Sequence, residues 1–172
     1  KLFADVPAQP NAAKREYYPV NDNKEPIVLI ARDKEQPHIQ AIVFNKHKAT
    51  PDSEKDKIGY LVENYATNLI GNMLNARLNE LLQEANPPYI YAGSYDGDFF
   101  VAKTKQAFTG IVVCKEDAVE SGIATLLREM ERARRFGFTE SEYQRARTEY
   151  NSNKKSANNK RANPKHEENN NE

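Results

Sequence analysis

A single cysteine, Cys114, is all the thiol chemistry this chain can offer, which excludes an internal disulfide and any multi-cysteine metal site. Neither sign of charge is in excess, since 25 Lys and Arg stand against 25 Asp and Glu. Nucleic-acid and membrane-surface binders show a strong basic excess, so no nucleic-acid partner is expected. No apolar run approaches the ~20 residues that span a bilayer, so no membrane-spanning segment is expected, and residues 1–30 lack a signal-peptide pattern. A phosphate-binding glycine loop is missing too: Gly93 and Gly97 flank Ser94-Tyr95-Asp96 with neither a lysine nor a following helix. The chain opens on Lys1-Leu2-Phe3 rather than Met, as a processed product or an excised piece would.

Histidine is scarce, and the three present do not converge. His166 begins a His-Glu-Glu-Asn-Asn run that superficially matches a two-histidine zinc motif, but Asn170 stands where the second histidine belongs. His38 and His47 sit at the two ends of one β-rich segment, roughly 30 Å apart if extended, and read as strand-end residues. Cys114 lies in an apolar run and reads as a small buried hydrophobe. Arg128–Arg135 mixes glutamates with arginines, which on a helix is a solvated face with local ion pairs. The aromatics of Tyr89–Phe100 have no adjacent basic residues, so strand core or interface fits them better than a nucleic-acid platform. From its residues alone, the chain carries no catalytic constellation.

What is present is a sequence of elements. Residues 1–20 are punctuated by Pro and Ala and read as an extended lead-in across the surface. Glu25–Asp33 packs five apolar residues between turn formers, which predicts a buried or central strand. Residues 38–48 predict a second strand, paired to the first across a Lys34–Pro37 turn. Thr50-Pro51, with Asp52 and Glu54 close behind, marks a helix start. From there Ile58, Leu61, Val62, Tyr65, Leu69, Met73, Leu78 and Leu82 recur at spacings of three and four, the stripe of a long helix. Gly59 and Gly71 in that helix point to close packing. Asn86-Pro87-Pro88 ends it.

Two strands follow, within Tyr89–Phe100 (bent near Asp96-Gly97) and Ala107–Lys115. A second helix carries Val119, Ile123, Leu126, Leu127, Met130 and Ala133 inward, and Gly137 stands where a left-handed C-terminal residue belongs. Thr139 and Glu142 form a capping box for a third helix, with Phe138 and Tyr143 as its hydrophobic staple. Residues 151–172 hold eight Asn, and Ala is their only member of the AVILMFWYC set. That tail is expected to be frayed helix or disordered. Strands and helices in blocks predict an α+β fold over residues 1–150. The expected form is a two-layer sandwich with a mostly antiparallel sheet covered on one face by helices.

The helix end is also where a family resemblance enters. Ala76-Arg77-Leu78, three more residues, Leu82-Gln83-Glu84, a short loop and an aromatic strand resemble a motif of the pitrilysin/insulinase-type zinc metallopeptidases. Residues 15–35 resemble the start of the same domain, and Glu131–Tyr150 resembles its helix, glycine and capped-helix ending. The resemblance spans residues 2–150. It implies one of several repeated α+β domains that close around a peptide.

In that family the zinc is held by an inverted His-x-x-Glu-His motif in another domain. That motif is absent here, so the resemblance implies the second, non-metal domain, with no cofactor of its own and zinc in the parent enzyme. Its partners would be the metal-bearing domain of the same protein and, indirectly, the peptide substrate. At the family's substrate-binding arginine and tyrosine this chain has Gln83 and Ile90, the latter between Tyr89 and Tyr91. Gln83, Tyr89 and Tyr91 are therefore candidate cleft-lining or interface residues, and Arg77 a structural one that anchors the helix end. A stand-alone interaction domain of the same fold that has lost catalysis is the alternative expectation.

Overall fold

The structure, a computed structural model, describes Asn11, Ala13 and residues 16–162 of the 172. Three antiparallel strands form one sheet: β1 (Ile39–Lys48), β2 (Tyr89–Asp98) and β3 (Lys105–Cys114), in the order β1-β3-β2. Three helices, α1 (Ile58–Leu81), α2 (Val119–Phe136) and α3 (Glu140–Ala162), complete the fold, with a 3-10 turn at Asp52–Glu54. It is an α+β sandwich: α1 packs on β2, α2 on β3, and α3 on α1. The core joins Leu74 and Leu78 of α1 and Leu126 of α2 to Tyr89, Ala92, Val112 and Cys114 of the sheet. No helix of the described residues is long and apolar enough to cross a membrane.

Side chains directly opposite each other in the ladder share a face. Val112 and Cys114 face the helices, as do their partners Ala41, Ile39, Ala92 and Tyr89. Two glycines let α2 sit down on this face. A Cβ at Gly122 would stand 2.8 Å from Cys114 Sγ, and one at Gly110 would stand 2.7 Å from Met130 Sδ. Gly71 also lies against β2, whereas Gly59 has open space around it and packs against nothing.

The predicted strand at Glu25–Asp33 is not one. Those residues lie outside the sheet and are exposed, and β1 pairs with β3 instead of with them. The connecting turn explains part of this: Asp33 Oδ1 accepts from Glu35 N–H at 2.9 Å, the Asp33 carbonyl accepts from Gln36 N–H, and Pro37 has no N–H to donate. The helix start is also later than its sequence signature. Thr50-Pro51 leads only into the 3-10 turn, and α1 begins at Ile58, with Ile58, Leu61 and Val62 exposed.

The third helix starts as the capping box predicts. Thr139 N–H donates to Glu142 Oε2 at 2.6 Å, and Glu142 N–H donates to Thr139 Oγ1 at 3.3 Å. Phe138 and Tyr143 pack on one apolar cluster, with Leu69, Met73 and Ala146. Gly137 has the positive φ expected of it, 67°, but its ψ of −146° is a glycine-only conformation rather than the left-handed helical one. Leu127, predicted to face inward, is exposed. Beyond Tyr150, α3 runs on to Ala162 with the side chains of residues 151–159 exposed. Residues 163–172, including His166 and Asn170, lie outside the described residues, as do most of residues 1–15.

Candidate functional site

The four residues singled out from the sequence land in four environments. Arg77 is buried at the α1–α3 contact. Its Nε donates to Glu142 Oε1 at 2.5 Å, and its Nη2 donates to Glu142 Oε2 and the Gly137 carbonyl at 3.0 Å each. The guanidinium carbon lies 4.5 Å from the Phe138 ring centroid, and Nη1 is buried with no partner among the described residues. Glu142 thus caps its own helix and accepts the arginine at once. The Arg77 hydrogen bond, opposed by burial and helped by Thr139, holds its carboxyl down at about 2.

Tyr89 does not line a cleft. It is fully buried, and its hydroxyl donates to the Leu78 carbonyl at 2.7 Å. Burial first, and then the Glu129 and Glu84 carboxylates, push its pKa up to about 12. A β-bulge between Tyr89 and Tyr91 explains why the two tyrosines part company. Plain alternation would put both on one face, but the extra residue Ile90 turns Tyr91 to the opposite face. Gln83 is exposed in the turn after α1, its N–H donating to the Glu80 carbonyl.

Tyr91 belongs to a broader surface, the sheet face turned away from the helices. Rows across the ladder place Gln40, Val113 and Tyr91 together, then Ile42, Ile111 and Gly93, then Phe44, Thr109 and Tyr95. Tyr91 lies over Gly93 so closely that a Cβ there would stand 2.7 Å from its hydroxyl. Ile42, Tyr91 and Tyr95 are each about half exposed. At the hairpin end, Phe44, Phe99 and Phe100 pack with ring centroids 4.8–5.4 Å apart, and Lys46 Nζ lies 5.7 Å from the Phe99 ring. Phe100 is exposed and holds a φ of 53°, a conformation that bulky residues rarely adopt. The face offers aromatic and apolar contact.

On the helix side of the sheet, at the same hairpin end, lies a feature sequence reading missed. His47 Nε2 and Asp96 Oδ1 are 2.7 Å apart beside a cavity of about 110 Å³ that Glu63 and Thr67 also line. The two residues are 49 positions apart, so no local pattern marks them. The Thr67 hydroxyl is committed to the Glu63 carbonyl, 2.9 Å away. Among the described residues, no group of three or more His, Cys, Asp or Glu is placed to hold a metal ion.

A family model described as "Peptidase M16 inactive domain" matches residues 1–150. The chain belongs to this family. Its fold is found in the crystal structure of the periplasmic protease PqqL from Escherichia coli, which superposes with a TM-score of 0.65 at 16% sequence identity. The match covers 76% of this chain and only 14% of PqqL, so it shows the fold and leaves most of that protein without a counterpart here. No curated protein matches in sequence. For an M16 inactive domain, the surface that stands out is the aromatic sheet face, because the opposite face is consumed by the core.

Proposed function

We propose that this chain is a non-catalytic domain of a longer, zinc-dependent peptidase, where it packs against the metal-bearing domain and lines the chamber that holds the peptide. Family membership over residues 1–150 supports the peptidase context. The observation that carries the chamber role is the open sheet face, where Tyr91, Tyr95 and Phe44 stand across neighbouring strands and no helix of the described residues covers them.

Such a face acts by shape. Aromatic rings held on a sheet lose little conformational freedom on contact, bury large areas, and displace water from a bound chain. Gln83 brings a neutral amide to the position where the resemblance implies an arginine, so it can offer hydrogen bonds to a peptide but no charge. Zinc and the attacking water belong, in this reading, to the partner domain.

The test compares the 172-residue chain with the longer polypeptide. The chain alone should bind no stoichiometric zinc and cleave no peptide, whereas the longer protein should do both. Turnover by the chain alone would sink the proposal. A double substitution, Tyr91→Ala with Tyr95→Ala, should lower kcat/KM of the longer protein about tenfold while its urea midpoint stays unchanged. An unchanged kcat/KM would remove the chamber role.

A further inference from the structure

Four consecutive apolar residues stand almost free of the fold. Ile27, Val28, Leu29 and Ile30 are 79, 81, 88 and 81% exposed, on backbone that is neither helix nor strand. Both flanks are nevertheless held. Upstream, Lys46 Nζ donates to the Asn21 carbonyl at 2.8 Å, and Lys105 Nζ reaches Asp22 Oδ1 at 2.9 Å. Downstream, the Asp33 turn leads straight into β1. The segment is displayed between two anchors and joins no strand of the sheet.

We propose that residues 27–30 are a donor strand, adding to the free edge of a β-sheet in a neighbouring domain whose sheet is covered on both faces. The pattern of the run decides the kind of partner. An extended chain points successive side chains to opposite sides, so four apolar residues in a row demand cover on both. This chain's own sheet edges, β1 and β2, belong to a sheet that the described helices cover on one face only. Pairing with either edge, in the same chain or in a second copy, would leave alternate residues of the run in water.

An edge in a doubly covered sheet buries all four and exchanges main-chain hydrogen bonds with them. Pro26, lacking an N–H, and the charges of Arg32 and Asp33 bound the stretch that can pair. The inference rests on the reading of this chain as one domain among several. The solved relative supports that reading, since this fold accounts for 14% of its length.

Amide hydrogen exchange tests it, measured on the 172-residue chain and on the longer polypeptide, each with and without Leu29→Asp. In the chain alone, the amides of residues 27–30 should exchange as if unstructured at every protein concentration. In the longer polypeptide they should slow by about 100-fold or more, and Leu29→Asp should abolish that protection while leaving the β3 amides protected. Rapid exchange in both proteins overturns the proposal. So does protection in the chain alone: if it rises with concentration the occupant is a second copy, and if it does not the occupant is an edge of the chain's own sheet. Should the longer protein lack peptidase activity yet show Leu29-dependent protection, the donor strand stands and the accessory-peptidase reading falls.

Discussion

Ile27-Val28-Leu29-Ile30 and Ile111-Val112-Val113-Cys114 are nearly the same run, four apolar residues of which three are β-branched. The second is the centre of the molecule. It has β1 on one side and β2 on the other, Leu126 lies against it from α2, and Val112 and Cys114 are buried. Among the described residues, the first has no strand on either side and no helix above it, and all four of its residues are exposed. Composition sets a run's demand for neighbours, and the rest of the chain decides whether that demand is met. For Ile111–Cys114 the neighbours arrive from about 25 and 70 residues upstream. For Ile27–Ile30 they do not arrive within the described residues at all.

The comparison is broken most severely at its buried member. Val112→Asp places a carboxylate at a position with no exposure and no hydrogen-bond donor of its own, between Leu126 and the α1 leucines. It should cost about 4 kcal/mol or more and leave the domain unfolded or nearly so by urea denaturation. A loss below about 1 kcal/mol would mean that β3 is not the structural centre.

Arg77 gives the next largest effect. Its removal, as Arg77→Met, leaves the Glu142 carboxylate without its main partner at a site only 13% exposed, and should cost about 3–5 kcal/mol. The same pair sets an acid limit. Glu142 has a folded pKa of about 2 against an ordinary value of 4.5, so its contribution, about 3 kcal/mol, is complete above pH 4.5 and is lost as pH falls through 2. Urea midpoints measured from pH 5 to pH 2 should fall steeply for the parent sequence, and less steeply for Arg77→Met. Parallel slopes would show that other carboxylates govern acid unfolding.

Tyr89 supplies a smaller and opposite pH effect. Tyr89→Phe removes the hydrogen bond to the Leu78 carbonyl and should cost about 1 kcal/mol at neutral pH. Because burial raises the folded pKa to about 12 from 10, the neutral phenol's contribution is intact below pH 10 and is lost as pH rises through 12. The phenylalanine variant should lose that part of the alkaline decline, as followed by circular dichroism.

These residues also mark how far the sequence could be read. The Thr139–Glu142 box was legible because both partners lie within one helical turn, where a pattern of two residue types fixes the geometry. The segments that became β1, β2 and β3 were legible from their β-branched and aromatic content between turn formers. Their neighbours were not, because strand pairing is a long-range choice. Nothing local says that β1 joins β3 rather than the apolar run just before it.

Tyr89 and Tyr91 were legible as a pair but not as opposites, since no local pattern marks the bulge at Ile90 that separates them. Arg77 was legible as a helix-end residue, while its partner Glu142, 65 positions on, carried only the signature of a cap. Gln83 remained a matter of resemblance, because an exposed residue is specified by what it meets.

The smallest expected effect completes the comparison at its exposed member. Leu29→Asp puts a carboxylate where the leucine side chain is already surrounded by water, with no described contact to lose. Stability of the 172-residue chain should stay within about 0.5 kcal/mol of the parent sequence. The same substitution at Val112 should leave the domain unfolded or nearly so, and the two variants, measured side by side by urea denaturation, isolate neighbourhood from composition. A loss above about 1.5 kcal/mol at Leu29 would show that the run is buried in solution, and with it the contrast between the two runs would disappear.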